Sequence, residues 1–223
     1  MAISGYRKAR DLPGVIPVFP LDGALLLPGG VLPLQIFEPR YLNMVDDAMA
    51  GDRIIGMIQT TGDGPPSHPA LVAVGCAGRI TSYSETGDGK YLIALTGVCR
   101  FRLVEELSEP RPYRLVKADF SRFEADLQSQ DEEDAPFDRP TFLEALRRYL
   151  DRRSLGVEWE VVKTAPAAAL INSLSMALPF SPREKQALLE APDLDGRRAA
   201  LTVLMEIESA WPTDEDDAPR PMQ

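Results

Sequence analysis

The sequence predicts an α+β fold, with a mainly antiparallel, strongly coiled or barrel-like β lobe followed by a helical bundle lobe. Three observations carry that expectation. Up to about Phe123, short apolar runs alternate with breaks rich in Pro and Gly. Beyond about Arg139 the apolar residues recur at helical spacing instead. Between them lies a stretch containing Asp131, Glu132, Glu133 and Asp134, which reads as a solvated acidic linker. The expected boundaries are a β-rich lobe over 1–123, the linker over 124–138, a helical lobe over 139–211 and a disordered acidic tail over 212–223.

In chain order, Val15 to Leu21 and Val31 to Phe37 read as strands separated by the turn Pro28-Gly29-Gly30. Pro33 has no N–H for a ladder, so the second strand must lie at an edge or carry a bulge. Tyr41, Leu42, Val45, Ala48 and Met49 place a helix after Pro39 that stops at Gly51. Arg53 to Gln59 reads as a buried strand, and Thr61 to Ala70, rich in Gly and Pro, as a loop. Gly87-Asp88-Gly89 between Val74–Ser84 and Lys90–Leu103 is a hairpin signal, and Tyr113 to Phe123 adds a further strand. No helix between these strands looks long enough for a parallel crossover, hence the antiparallel expectation.

In the second lobe, Phe142, Leu143, Leu146, Tyr149 and Leu150 form one apolar stripe, and Leu170, Ile171, Leu174, Ala177 and Leu178 a second. Ser181-Pro182-Arg183-Glu184 is a capping box with proline at the first helical position, so a third helix starts there. Asp193 is placed to cap a fourth, carrying Leu194, Leu201, Leu204 and Met205.

Charge and composition exclude several classes. The chain has 24 basic and 34 acidic residues, a formal charge of −10, which repels a phosphate backbone, so nucleic acid is not an expected partner. Cys76, Cys99 and His68 are too few for a structural zinc site, and neither a metal nor a cofactor is expected. If the hairpin closes, the two cysteines come near one another, and two buried thiols are expected. The apolar stretch after the basic start is broken by Pro13, Pro17, Pro20 and Pro28, which suits neither a signal peptide nor a membrane span, so the expected compartment is the cytoplasm, with no membrane partner.

Catalytic motifs fail on inspection. Gly87-Asp88-Gly89-Lys90 ends like a phosphate loop but lacks the glycine spacing, and Tyr91 stands where the magnesium-binding hydroxyl is needed. Ser67 and His68 are adjacent in an irregular loop, where nucleophile and base are rarely held in register and no orienting group is evident. The acidic pairs Asp46 and Asp47, Glu105 and Glu106, and Glu158 and Glu160 read as solvated faces in so acidic a chain.

The most informative segments are Ile16-Pro17-Val18-Phe19-Pro20-Leu21 and the string from Leu27 through Pro33, Gln35, Ile36, Phe37, Glu38, Pro39 and Arg40 to Tyr41. Val74 to Ile80, Gly97 to Leu103 and Asn172 to Ser181 add to them. Together, over about Val15 to Ala210, they resemble the amino-terminal, substrate-binding domain of Lon proteases. In those enzymes the domain precedes an ATPase and a Ser-Lys peptidase, helps recognise unfolded substrates and helps organise the assembly. The resemblance thus implies a stand-alone, non-enzymatic polypeptide-binding module or adaptor and carries over no catalytic residue. Its expected partners are unfolded or apolar-rich polypeptides and a separate protease or chaperone. The alternatives are a small-molecule hydrolase using cleft carboxylates and a structural oligomerisation unit.

Among individual residues, Tyr41, Trp159 and Phe180 are candidate polypeptide contacts between the lobes, although such aromatics are more often core. Pro33, Phe37, Glu38, Pro39 and Arg40 are expected to shape the fold. The prolines fix backbone angles, Ile36 and Phe37 supply core area, and Glu38 pairs with Arg40 at the helix start.

Overall fold

The computed structural model describes residues 5–128 and 138–210. The central acidic run of the expected linker and the expected tail lie outside the described residues. Six strands, β1 (Val15–Pro20), β2 (Val31–Ile36), β3 (Ile54–Ile58), β4 (Val74–Glu85), β5 (Tyr91–Leu107) and β6 (Arg114–Asp119), form one mixed sheet in the order β2-β5-β4-β3-β1-β6. A further pairing of β5 with β6 closes the last five into a ring. The helices are α1 (Pro39–Ala50), α2 (Arg139–Arg152), α3 (Trp159–Thr164), α4 (Ala167–Ala177), α5 (Pro182–Glu190) and α6 (Leu194–Ala210). The α+β class and the mainly antiparallel sheet are as the sequence predicts.

The length of β5 explains how one sheet can close. Its first residues, Tyr91 to Thr96, pair with β2, and its last, Arg102 to Leu107, pair with β6. Register shifts at Ala77/Gly78 and Ile80/Ser82 along β4 and at Leu103/Glu105 along β5 supply bulges, which bend a strand and raise its twist. At Gly97 the turn before β2 approaches so closely that a Cβ would sit 2.0 Å from the Leu27 carbonyl oxygen, and only glycine fits.

One expectation about connectivity is corrected. β1 and β3 are parallel, with Val18 opposite Gly56. The crossover that seemed too short is made jointly by β2 and α1, which carry the chain away from β1 and back. All five residues of β3 are buried, as suits a strand covered on both faces.

The helical lobe begins where the Asp138 side chain accepts a hydrogen bond from the Thr141 amide at 3.1 Å. The capping box at α5 forms as expected, with Glu184 accepting from the Ser181 amide at 2.7 Å. Asp193 accepts from the Gly196 amide at 2.8 Å and so caps α6. Two other features depart from the expectation. The strand expected to run to Phe123 ends at Asp119, and a 3-10 segment, Ser121–Leu127, takes up residues assigned to the linker. Within it Asp126 is buried against Arg100, so the linker's first residues are folded rather than solvated. Buried apolar side chains from Leu12 to Met205 form one continuous core across both lobes.

Candidate functional site

β3 pairs with β4 only from Cys76 to Arg79. Beyond that point, the end of β4, the start of β5 and all of β2 project as a three-stranded wing. The register sets Val31 opposite Thr96, Pro33 opposite Ala94 and Gln35 opposite Leu92, and continues to Ser82 and Ser84 on β4. Directly opposed residues share a face. The inner face carries Ile36, Ile93 and Leu95, all buried. The outer face carries Val31, Leu92 and, one residue past the strand, Phe37, with relative exposures of 57%, 46% and 61%. Ala94, Ser82 and Ser84 between them are small, so the large side chains stand above a shallow floor.

Phe37 therefore does not supply core area, which corrects the sequence-based expectation. Strand side chains alternate, and Ile36 takes the inward position, leaving its neighbour outside. The signal was present: in Val31-Leu32-Pro33-Leu34-Gln35-Ile36-Phe37, the polar Gln35 and the proline mark the odd-numbered residues as the outer set.

Next along the chain, α1 begins where the sequence places it. Pro39 is its first residue, and the Arg40 guanidinium bonds Glu38 through Nε at 2.9 Å. Arg40 also lies 4.5 Å from the centre of the Tyr41 ring. Tyr41 is buried against Phe19, with ring centres 4.2 Å apart, and burial raises its pKa. Phe180 is buried against Tyr149, and Trp159, half-buried, has the Arg147 guanidinium 5.1 Å above it. The three aromatics have separate partners, and burial takes Tyr41 and Phe180 out of a client's reach. Their expected convergence between the lobes is replaced by packing.

Several of the remaining chemical candidates are held in ion pairs or buried. His68 faces Glu106 at 3.0 Å, and Glu106 is gripped by both Nε and Nη2 of Arg114 at 2.6 Å. Arg114 holds the Glu106 carboxyl below its usual range and also donates to the Pro69 carbonyl, so this cluster ties the loop down. Asp47 accepts from Arg111 and Tyr113, and Glu160 pairs with Lys163 at 3.0 Å. Cys76 and Cys99 are free, buried thiols, and burial pushes both pKa values up. Among the described residues, no group of three His, Cys, Asp or Glu side chains is arranged to hold a metal ion. None of the described helices is long and apolar enough to cross a membrane.

Comparison with known proteins gives one consistent answer. The chain is 29% identical over 219 residues to Lon protease 2 of Myxococcus xanthus, covering 92% of this chain and 25% of that protein. It is 28% identical over 216 residues to the Lon protease of Syntrophus aciditrophicus, covering 91% and 26%. It thus spans about a quarter of the length of these relatives. The fold is similar to the crystal structure of a Lon N-terminal domain protein from Xanthomonas campestris, with a TM-score of 0.59 at 23% identity over 85% of this chain and 97% of that one. It is also similar to the N-terminal domain of Mycobacterium avium complex Lon protease, with a TM-score of 0.58 at 18% identity over 86% and 97%. Residues 15–206 match the family described as the ATP-dependent protease La (LON) substrate-binding domain, and the chain belongs to that family.

Proposed function

We propose that this chain is a non-enzymatic polypeptide-binding module that presents unfolded or apolar-rich segments to a separate protease or chaperone. The observation that carries this reading is the exposed row of Val31, Leu92 and Phe37 on the outer face of the wing. Scattered exposed apolar residues are ordinary, but a row on one sheet face beside an edge strand is a surface an extended chain can use. Family membership supports substrate recognition as its role. The hydrolase alternative loses ground because the buried carboxylate of Asp126 is locked by Arg100, while Asp47, Glu106 and Glu160 are occupied by cations at the surface.

The test is a titration of a labelled, reduced and unfolded protein against the chain, with the native form of the same protein as control. Affinity of about micromolar or poorer is expected for the unfolded form, since a modest surface must also order a flexible client. A mainly apolar contact changes little between low and moderate salt. Equal binding of native and unfolded forms would sink the reading. The same preparation is expected neither to hydrolyse ATP nor to cleave casein. ATP turnover that survives purification and vanishes on a point substitution in this chain would overturn the non-enzymatic assignment.

A further inference from the structure

We infer that the client is held by strand addition: an extended segment, apolar at alternate positions and flanked by Lys or Arg, pairs with the free outer edge of β2. This rests on the polypeptide-binding reading above and adds to it a mode and a register. Among the described residues, β2 pairs with β5 alone. The Gly97 amide donates to the Gly30 carbonyl at 2.8 Å, and the Thr86 amide to the Lys90 carbonyl at 2.8 Å. Hydrogen-bonded and non-hydrogen-bonded pairs alternate along an antiparallel ladder. Counting from Gly30/Gly97 makes Leu32/Leu95, Leu34/Ile93 and Ile36/Tyr91 the hydrogen-bonded pairs of β2 with β5. Counting independently from Thr86/Lys90 turns Leu92 and Ala94 toward β4, which gives the same answer. The main-chain groups of Val31, Pro33 and Gln35 therefore face outward.

That edge offers three carbonyl acceptors, at Val31, Pro33 and Gln35, but only two donors, because Pro33 has no N–H. Proline on an edge strand is a common guard against indiscriminate pairing, and here it leaves the edge usable yet selective. A client strand would lie about 4.8 Å from β2. Its residues hydrogen-bonded to Val31, Pro33 and Gln35 place their side chains on the same outer face, extending the row of Val31, Leu92 and Phe37. Apolar residues are thus required at alternate client positions. Charge complementarity sets the flank at the hairpin end of the wing, where Glu38 pairs with Arg40 and Asp88 with Lys90, and Glu85, opposite Tyr91, is the carboxylate left to attract a cationic client residue.

The probe is a lysine-flanked peptide alternating valine and threonine, titrated against the whole chain. Gln35→Pro removes one outward donor and leaves the β5 ladder intact, and Pro33 shows that proline is accepted at this parity. Affinity is expected to fall by about two- to tenfold, the scale of losing one main-chain hydrogen bond to a client. N-methylation of the valine amides should abolish binding, whereas N-methylation of the threonine amides should leave it. Independently of any variant, the Val31 and Gln35 amides should become protected from hydrogen exchange when the peptide is bound. Wild-type affinity of Gln35→Pro with unprotected amides overturns strand addition; if Phe37→Ser still weakens binding, the apolar-face reading survives. Failure of the wild-type chain to bind both the peptide and unfolded protein overturns both.

Discussion

Phe37 and Asp126 mark opposite corrections at the scale of single residues. Phe37 is apolar and sits in the family-like string, yet it is 61% exposed. Phe37→Ala should therefore change stability by no more than about 0.5 kcal/mol, the usual range for a surface position, while reducing client affinity. A loss near the range of about 3 to 5 kcal/mol seen for buried aromatics would return Phe37 to the core. Asp126 lies in an acidic stretch, yet its side chain is 8% exposed, and both its oxygens accept from Arg100 at 2.8 Å. Arg100 also donates to the Leu189 carbonyl at 3.1 Å and to the Ala191 carbonyl. Asp126→Ala would strand a buried guanidinium, and breaking a buried pair from one side costs about 3 to 5 kcal/mol. A urea midpoint within error of wild type would show that water reaches Arg100 readily.

Elements whose cause is local were legible in the sequence, and those caused by distant residues were not. The β4–β5 hairpin follows from Gly87-Asp88-Gly89, with Gly89 at a φ of +77° that favours glycine. The start of α5 follows from four consecutive residues. Ser181→Ala removes the acceptor for the Glu184 amide and the hydroxyl bonded to Glu184 at 2.7 Å, and should cost about 1 kcal/mol. The amides of the first turn should exchange faster in that variant, and unchanged exchange would mean that Pro182 and packing alone fix the helix start. By contrast, α3 spans six residues, too few to display a 3.6 period. The 3-10 segment forms because Arg100, 26 residues earlier, binds Asp126, a pairing that local charge patterns hide. In the wing, the edge position of β2 was readable from Pro33, but the face on which Phe37 lies required the strand's parity, and the outward main-chain groups required its partner's register.

At the scale of the whole molecule, the question is whether the lobes behave as one folding unit. The sequence suggests two pieces joined by an acidic linker, but the seam between them is buried and polar. Gln59 accepts from the Gly23 amide at 3.1 Å and donates to the Pro182 carbonyl at 3.0 Å. Asn172 donates to the Pro28 carbonyl at 3.1 Å, and Lys185 to the Gly23 carbonyl at 2.8 Å. Within the helical lobe Arg197 braces Asn172 from behind, donating to it and to the Leu188 carbonyl, each at 2.9 Å, and burial pushes its pKa down to about 10. All four side chains are buried. Separating the lobes would expose apolar surface of the shared core and leave Gln59, Asn172 and Lys185 to find new partners, each orphaned group costing about 1 to 3 kcal/mol wherever water could not reach it. Opening at the seam alone therefore has little to recommend it over complete unfolding. The expected result is a single cooperative transition, with amides of β3 and of α4 exchanging through openings of equal free energy and equal urea dependence. Asn172→Ala should lower both sets together, because its hydrogen bonds to Pro28 and Arg197 belong to the joint. If α4 amides instead exchanged through an opening several kcal/mol easier than that of β3, the helical lobe would be a separate foldon, and the seam a latch that releases before the sheet unfolds.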